Sequence, residues 1–126
     1  MQCPKCAHAM EKMTYKDIEV DRCTLCKGLW FDAMEHEALK DVPGSEAIDS
    51  GDPEVGKLFN DEKRAICPVC EVSMLRMVDA DQPHIWYESC PVCYGAFFDA
   101  GEFTDLKYDT LLDRVRTMIK GPRNAD

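Results

Sequence analysis

The sequence predicts a small α+β fold made of two repeated units, each a three-stranded antiparallel sheet, followed by a long C-terminal helix. The 126 residues are 45% hydrophobic and 31% charged, which is typical of a small globular protein. All eight cysteines occur in Cys-x-x-Cys pairs. The two halves of the chain repeat the same order of motifs, and such repeats form similar structural units.

The cysteines predict two metal sites. The four pairs are Cys3 with Cys6, Cys23 with Cys26, Cys67 with Cys70, and Cys90 with Cys93. Sixteen residues separate the first two pairs and nineteen separate the last two, which is close to the spacing at which two turns close one tetrahedral site. Zinc prefers four soft thiolates, and in a reducing compartment such a set holds metal rather than forming disulfides. We therefore predict two structural Zn²⁺ ions, one for each set of four cysteines.

The internal repeat also locates the strands. Residues 3–6 match residues 67–70, and residues 28–35 match residues 95–102 without a gap. The copies differ by three residues near 79–83, where alternating runs on either side predict a hairpin turn. Apolar alternation predicts strands at residues 13–15, 18–22 and 29–31, and at residues 74–78, 84–88 and 96–98. A unit of roughly 40 residues buries too little apolar surface to fold alone, so we expect zinc to form its core.

Two extended motifs carry a family resemblance. The first is Cys-Pro-x-Cys at residues 3–6, and the second is Val-Asp-Arg-Cys-x-x-Cys-x-Gly-x-Trp-Phe-Asp-x-x-Glu at residues 20–35. Both recur more loosely within residues 67–102. The chain therefore resembles the tandem transcription-factor-IIB-type zinc ribbons of small prokaryotic proteins, over about two thirds of its length. The resemblance implies two ribbons with one four-cysteine zinc site each, but it implies little about activity, because nucleic-acid binding is commonly assigned to such proteins by analogy.

The sequence departs from the family motif at several positions. Lys27 and Tyr94 stand where a glycine usually follows the fourth cysteine, and residues 87–89 replace Val-Asp-Arg with Tyr-Glu-Ser.

Other motif residues have structural interpretations. The carboxylates of Asp32 with Glu35, and of Asp99 with Glu102, are expected to form helix capping boxes. The aromatic pairs at residues 30–31 and 97–98 are expected to cover the metal rather than stack on nucleic-acid bases.

The motifs divide the chain into four predicted segments. These are zinc ribbon 1 (1–41), a flexible acidic linker (42–65), zinc ribbon 2 (66–102), and a C-terminal amphipathic helix and tail (103–126). The linker is assigned because it is rich in proline, glycine, serine and acidic residues. Asp99 is the predicted N-cap of the long helix, and Gly121-Pro122 is the predicted stop.

The long helix carries an apolar stripe over an arc of about 120°. Its six members are Tyr108, Leu111, Leu112, Val115, Met118 and Ile119. Phe103 and Leu106 point elsewhere and are expected to pack on ribbon 2. The stripe is expected to cover ribbon 1, a second copy of the chain, or a partner protein.

The charge of the chain limits its partners. With 15 basic and 24 acidic side chains the net charge is −9, and it becomes about −13 when two Zn²⁺ ions are held by eight thiolates. We therefore expect no appreciable binding to duplex nucleic acid or to anionic membranes. The sequence also lacks a long apolar run and a basic N-terminal signal segment, so we expect a cytoplasmic protein.

The predicted function is that of a non-enzymatic, zinc-binding adaptor acting through protein–protein interaction. A site closed by four cysteines has no open coordination position, and no nucleophile with a positioned base is visible. Two alternatives remain open. Nucleic-acid binding is favoured by the resemblance and by the basic C-terminal residues Lys107, Arg114, Arg116, Lys120 and Arg123. A thiol or metal sensor, or a rubredoxin-like iron protein, is favoured by Cys-Pro-Val-Cys at residues 67–70.

Overall fold

The computed structural model describes residues 1–60 and 65–120, with the backbone alone at residues 60, 111 and 113–120. The first half contains β1 (Met10–Tyr15), β2 (Ile18–Cys23), β3 (Leu29–Phe31), α1 (Glu35–Lys40), a 3₁₀ helix (Ser45–Ile48) and α2 (Pro53–Asn60). The second half contains β4 (Leu75–Val78), β5 (Trp86–Ser89), β6 (Ala96–Phe98) and α3 (Glu102–Lys120). The predicted small α+β fold with two four-cysteine units and a C-terminal helix is confirmed.

The two three-stranded sheets join into one sheet. The strand order is β1-β2-β3-β6-β5-β4, and every neighbouring pair is antiparallel. At the junction β3 pairs with β6, so that Trp30 lies opposite Phe97. An open strand edge exposes unpaired backbone groups, and this junction satisfies the inner edges of both ribbons. The motif of a single ribbon does not predict this pairing. β3 and β6 are only three residues long and have similar sequences, so neither strand indicates which other strand it pairs with.

The sheet separates two apolar cores. One face packs on the helices, and its buried members are Val20, Leu29, Phe31, Leu39, Ile48, Ile85, Ala96, Phe98, Phe103 and Leu106. The other face carries Trp30 and Phe97, which pack among cysteines of both halves. Phe103 of α3 contacts Phe31 of the first half as well as Phe98 of the second, with ring centroids 5.1 and 6.3 Å apart. The first turns of α3 therefore pack on both ribbons, not on ribbon 2 alone.

The segment after α1 differs from the expected flexible tether over residues 42–60. Ser45 and Ile48 are buried, and the Ser45 hydroxyl donates to the Leu39 carbonyl at 2.6 Å. The Lys107 ammonium of α3 donates to the Val42 carbonyl at 2.8 Å and to Ser45 Oγ at 2.7 Å. Composition predicted a flexible segment because it counts residue types and not their positions. It does not show that one isoleucine is buried, or that polar side chains form hydrogen bonds with the backbone.

The predicted cap of α3 is wrong. Asp99 is buried and accepts a hydrogen bond from Lys5, whereas Asp49 accepts hydrogen bonds from the Gly101 and Thr104 N–H groups, each at 2.9 Å. The capping box of α1 is half formed. The Glu35 carboxylate accepts from the Asp32 N–H at 3.0 Å, but the N-cap of that helix is Met34, whose side chain makes no capping hydrogen bond.

The apolar stripe of α3 lies largely beyond the described side chains. Tyr108 is 61% exposed, and Leu112 is half-buried. The side chains of Leu111, Val115, Met118 and Ile119 lie outside the described set, as does the predicted stop at residues 121–122. Among the described helices, none combines the length and the apolar character that a membrane crossing requires.

Candidate metal centres

The fold gathers the eight predicted ligands into two groups. One contains Cys3, Cys6, Cys23 and Cys26, and the other contains Cys67, Cys70, Cys90 and Cys93. Within each group all four Sγ atoms lie within 4.8 Å of one another. Three Sγ pairs lie 3.3, 3.7 and 3.8 Å apart. A tetrahedron with zinc–sulfur bonds of about 2.3 Å has edges of about 3.8 Å, so both groups have the dimensions of a zinc site.

Backbone N–H groups point at the sulfur atoms of three turns. Cys23 Sγ accepts from the N–H groups of residues 25 and 26, at 3.3 and 3.4 Å. Cys67 and Cys90 accept in the same way from the residues two and three positions later, at 3.3 to 3.4 Å. Hydrogen bonds donated to sulfur stabilise the thiolate and orient it as a metal ligand. The turns are therefore built to present ionised cysteines.

In the first group, a hydrogen bond between two thiols favours the thiolate at one cysteine only. A hydrogen bond from Cys26 lowers the pKa of Cys3 to about 5, although burial opposes the shift. The same hydrogen bond raises the pKa of Cys26, with burial as the second cause. A divalent cation at the centre of the group would favour the thiolate at all four positions. The donor chemistry therefore fits Zn²⁺.

Every metal turn ends in a left-handed residue. These residues follow the second cysteine of each pair and are Ala7, Lys27, Glu71 and Tyr94, with φ between 59° and 64°. The Tyr94 N–H then donates to the Cys90 carbonyl at 3.0 Å, which closes the turn. Glycine adopts this conformation without steric cost, which explains why the family motif usually carries glycine after the fourth cysteine.

Comparison with models of protein families shows which family this chain belongs to. A family model described as a transcription factor zinc-finger, of the TFIIB zinc-ribbon type, matches residues 2–42 and 66–109. The chain belongs to the transcription factor zinc-finger family. Each matched segment contains one four-cysteine group, so the predicted tandem zinc ribbons are confirmed. Searches among curated proteins and among solved structures gave no match.

The aromatic residues of the family motif are buried at the junction of the two ribbons. Trp30, Phe31, Phe97 and Phe98 are each at most 1% exposed, which confirms that they are packed. Trp30 and Phe97 lie among the cysteines as expected, whereas Phe31 and Phe98 lie in the core on the helix side and do not cover the metal sites. The Phe97 ring lies where a Cβ atom on Gly28 would be, and the Trp30 ring lies where a Cβ atom on Gly95 would be. The two contacts are equivalent, because Gly28 and Gly95 occupy the same position in the two copies. These rings therefore have no face free for nucleic-acid bases.

A buried charge cluster joins the first metal turn to ribbon 2. Lys5 lies between Cys3 and Cys6, and its side chain is 0% exposed. Its Nζ atom lies 2.7 Å from Asp99 Oδ2 and 3.1 Å from Glu88 Oε1. Burial raises the pKa of Asp99 to about 6, and the charge of Lys5 opposes this shift. Burial likewise raises the pKa of Glu88, again against the charge of Lys5.

The sequence contained a signal for this cluster that motif reading missed. Lys5 has Val69 as its counterpart in the second copy, and Glu88 lies in the segment that departs from Val-Asp-Arg. The ammonium also donates to the Phe59 carbonyl at 2.9 Å. Differences between the two copies, rather than their shared motifs, therefore mark the residues at which the ribbons meet.

Proposed function

We propose that this protein is a non-enzymatic, zinc-binding adaptor that acts through protein–protein interaction. In this proposal each four-cysteine group holds one structural Zn²⁺, which supplies a crosslink between two turns. Four protein thiolates complete a tetrahedral shell, so the metal keeps no position for a substrate or an activated water. The proposal includes a cytoplasmic location, because a reducing compartment keeps the cysteines available as ligands.

The observation that supports an adaptor is an exposed apolar surface on ribbon 2. We call it the hairpin-2 surface, and it consists of Leu75, Met77, Val78 and Trp86, which are 54%, 40%, 38% and 42% exposed. These residues belong to β4 and β5, which pair with Val78 opposite Trp86. Successive residues of a strand face opposite sides, so Leu75 and Met77 lie on one face of this edge hairpin, and Val78 and Trp86 lie on the other. Exposed apolar side chains of this kind are a common feature of interaction sites.

The first ribbon provides an internal reference for this surface. The residues at the positions of Leu75, Val78 and Trp86 are Glu11, Thr14 and Glu19. The strand register supports this alignment, because Thr14 lies opposite Glu19 as Val78 lies opposite Trp86. The fold thus accommodates polar side chains at these places. Leu75, Val78 and Trp86 are therefore not needed to form the hairpin, whereas Met77 has Met13 as its counterpart. The three replacements favour a role in contact with another molecule.

Charge favours a cationic protein as that partner. Residues 67–105 contain one basic residue and seven acidic residues. A second copy of the chain would bring the same negative charge to the interface, whereas a partner with lysine or arginine around an apolar patch would complement it. The α3 stripe beginning at Tyr108 remains a second proposed contact, for a partner or for self-association.

The test converts the hairpin-2 surface to the residues of ribbon 1. A triple variant, Leu75→Glu, Val78→Thr and Trp86→Glu, should keep its zinc content and thermal stability but lose its partner. The control, Leu25→Glu with Leu58→Glu, makes the same change in charge at two other exposed leucines. A photo-crosslinking amino acid at residue 77 identifies the contacted peptide by mass spectrometry. Equal crosslinking in the wild type and the triple variant would contradict the proposal.

Nucleic-acid binding is the second candidate, because the family is described as a transcription factor zinc-finger. One contact also favours it. The guanidinium carbon of Arg76 lies 5.1 Å from the centroid of the half-exposed Trp86 ring, an arrangement on which an unpaired base can stack. Fluorescence anisotropy with labelled single strands over a salt series would test it. Sub-micromolar binding at 0.15 M salt, lost on Trp86→Ala, would replace the adaptor proposal.

A further inference from the structure

In each ribbon, an aromatic ring from the other ribbon packs against the glycine that follows the second metal turn. The Gly28 carbonyl accepts a hydrogen bond from the Cys23 N–H at 2.9 Å, and the Phe97 ring of ribbon 2 packs on Gly28. In the same way the Gly95 carbonyl accepts from the Cys90 N–H at 3.0 Å, and the Trp30 ring of ribbon 1 packs on Gly95. The backbone that positions one ligand cysteine in each site therefore depends on the presence of the opposite ribbon.

The first turns of the two sites are also linked directly. The Ile66 N–H, next to Cys67, donates to the Pro4 carbonyl, next to Cys3, at 3.1 Å. The Lys5 ammonium, inside the first metal turn, neutralises Glu88, two residues before Cys90. If the first turn were disordered, Asp99 would lose this cation, and Glu88 would keep only Arg76 of ribbon 2, at 3.8 Å. A buried carboxylate that loses its cation is costly, so ribbon 2 is less stable when Lys5 is displaced.

Because of these contacts, folding of the backbone around one metal site is coupled to folding around the other. A metal ion that orders one half supplies the ring, the strand edge and the charge that the other half needs. The second ion then binds to turns that are already formed, and does not bear the cost of ordering them. Linkage makes the effect reciprocal, because each ion must raise the affinity of the other by the same factor.

We propose that the two metal sites load cooperatively, coupled through the β3–β6 junction and the Lys5–Glu88–Asp99 cluster. The inference rests on the zinc binding in the proposed function and goes beyond it. Lys5 acts as a positioning residue, since it contacts no metal ligand through its ammonium group but joins the first metal turn to ribbon 2.

The first test counts metal ions in single molecules. The apoprotein is mixed with one equivalent of Zn²⁺ under reducing conditions, and native mass spectrometry resolves molecules with zero, one and two ions. Independent equal sites would place about half of the molecules in the one-zinc state. Cooperative loading instead leaves mainly apo and two-zinc molecules. A one-zinc population of about half would overturn the proposal while leaving zinc binding intact, whereas uptake of no zinc would overturn the proposed function as well.

The second test removes one site and measures the other. Cys23→Ser should weaken zinc binding at the second site by about tenfold or more, and Cys90→Ser should weaken the first site by a similar factor. Competition with a chelator of known affinity gives both values. Wild-type affinity at the remaining site in either variant would overturn the coupling.

The third test assigns the role of the charge cluster. Lys5→Met should shift the distribution at one equivalent toward the one-zinc state. Lys12→Met is the matched control, because Lys12 is 67% exposed and pairs with Asp21 inside ribbon 1, at 3.6 Å. A Lys5→Met distribution equal to that of the wild type would overturn the role of Lys5. If Lys5→Met binds no zinc at all, the wild-type titration and the two cysteine variants still decide whether the sites are coupled.

Discussion

Single residues determine how tightly each metal turn closes. Tyr94 holds a left-handed backbone, with φ of 62°, although its side chain is 65% exposed. For a residue with a Cβ atom that conformation costs about 1–2 kcal/mol. The family motif avoids this cost with glycine after the fourth cysteine, whereas this chain has Lys27 and Tyr94 there. The backbone conformation, not the exposed side chain, is therefore what substitutions at residue 94 will affect.

We predict that Tyr94→Gly keeps or raises the free energy of unfolding, by up to about 1 kcal/mol, because relief of backbone strain exceeds the loss of an exposed ring. Tyr94→Val should lower it by about 1 kcal/mol or more, since a β-branched residue is strongly disfavoured at positive φ. Urea denaturation of the zinc-loaded proteins measures both values. Equal stability of the glycine and valine variants would contradict the strain argument.

A second residue makes stability depend on pH. The pKa of Glu102 is raised from its ordinary value of 4.5 to about 7, chiefly by burial and then by the charges of Asp105 and Asp99. The folded state therefore binds this proton more tightly than the unfolded state does. The free energy of unfolding contributed by Glu102 is highest below pH 4.5 and is lost as the pH rises toward 7.

Glu102→Gln should consequently be more stable than the wild type at about pH 8, and its advantage should shrink as the pH falls toward about 5. Comparison of variant and wild type at each pH cancels the effect of acid on the thiolates. Glu54→Gln, at an exposed position of α2, serves as the control and should show no such trend. Thermal unfolding across this pH range provides the measurement. A difference that does not vary with pH would rule out Glu102 as its source.

Elements that follow local rules were predicted well from the sequence. Predicted strands at 18–22 and 29–31 correspond to β2 and β3, because alternation and the metal turns fix them within a few residues. Contacts between distant segments were not predicted. The β3–β6 pairing and the cap of α3 by Asp49 join residues more than 50 positions apart, and neither leaves a local pattern. The same limit applies to Lys5, which motif reading treats as a variable position.

The distant cap makes a testable prediction for α3. Asp49→Ala removes the acceptor of the Gly101 and Thr104 N–H groups, so it should lower the free energy of unfolding by about 1–2 kcal/mol without loss of zinc. Hydrogen exchange should accelerate at Thr104. Asp52→Ala is the control, because Asp52 accepts from the Glu54 N–H and should affect α2 instead. Unchanged exchange at Thr104 in Asp49→Ala would show that the cap does not hold the helix end.

We expect the described part of the chain to unfold as one unit, because each of its two cores contains residues from both ribbons. Removal of zinc should therefore unfold the entire described sheet in one transition, since neither half buries enough apolar surface alone. Elemental analysis should give two zinc ions per chain before chelation. Circular dichroism and tryptophan fluorescence, recorded during titration with a chelator, should change together. Two separate transitions, or native spectra after complete chelation, would contradict this prediction.

The net charge of the whole molecule governs its contact with duplex DNA. The metal-loaded chain carries about −13, and a phosphate backbone repels such a surface because binding depends on lysine and arginine. We predict no appreciable binding to a labelled duplex at about 0.15 M salt, measured by fluorescence anisotropy. Lowering the salt should not produce the steep gain in affinity that counterion release gives to a basic protein. Sub-micromolar binding at that salt concentration would show that local basic residues outweigh the net charge.

The β3–β6 junction has the form of an isologous dimer interface contained in a single chain. In a homodimer every substitution appears on both sides of the twofold axis, so a residue must suit both copies of its environment. Here the halves are encoded separately and vary independently. Lys5 can therefore serve one side of the junction while Val69 occupies the other, and one hairpin can stay polar while the other becomes apolar. Because the two halves form one chain, their side chains can differ while the β3–β6 strand pairing keeps its twofold symmetry.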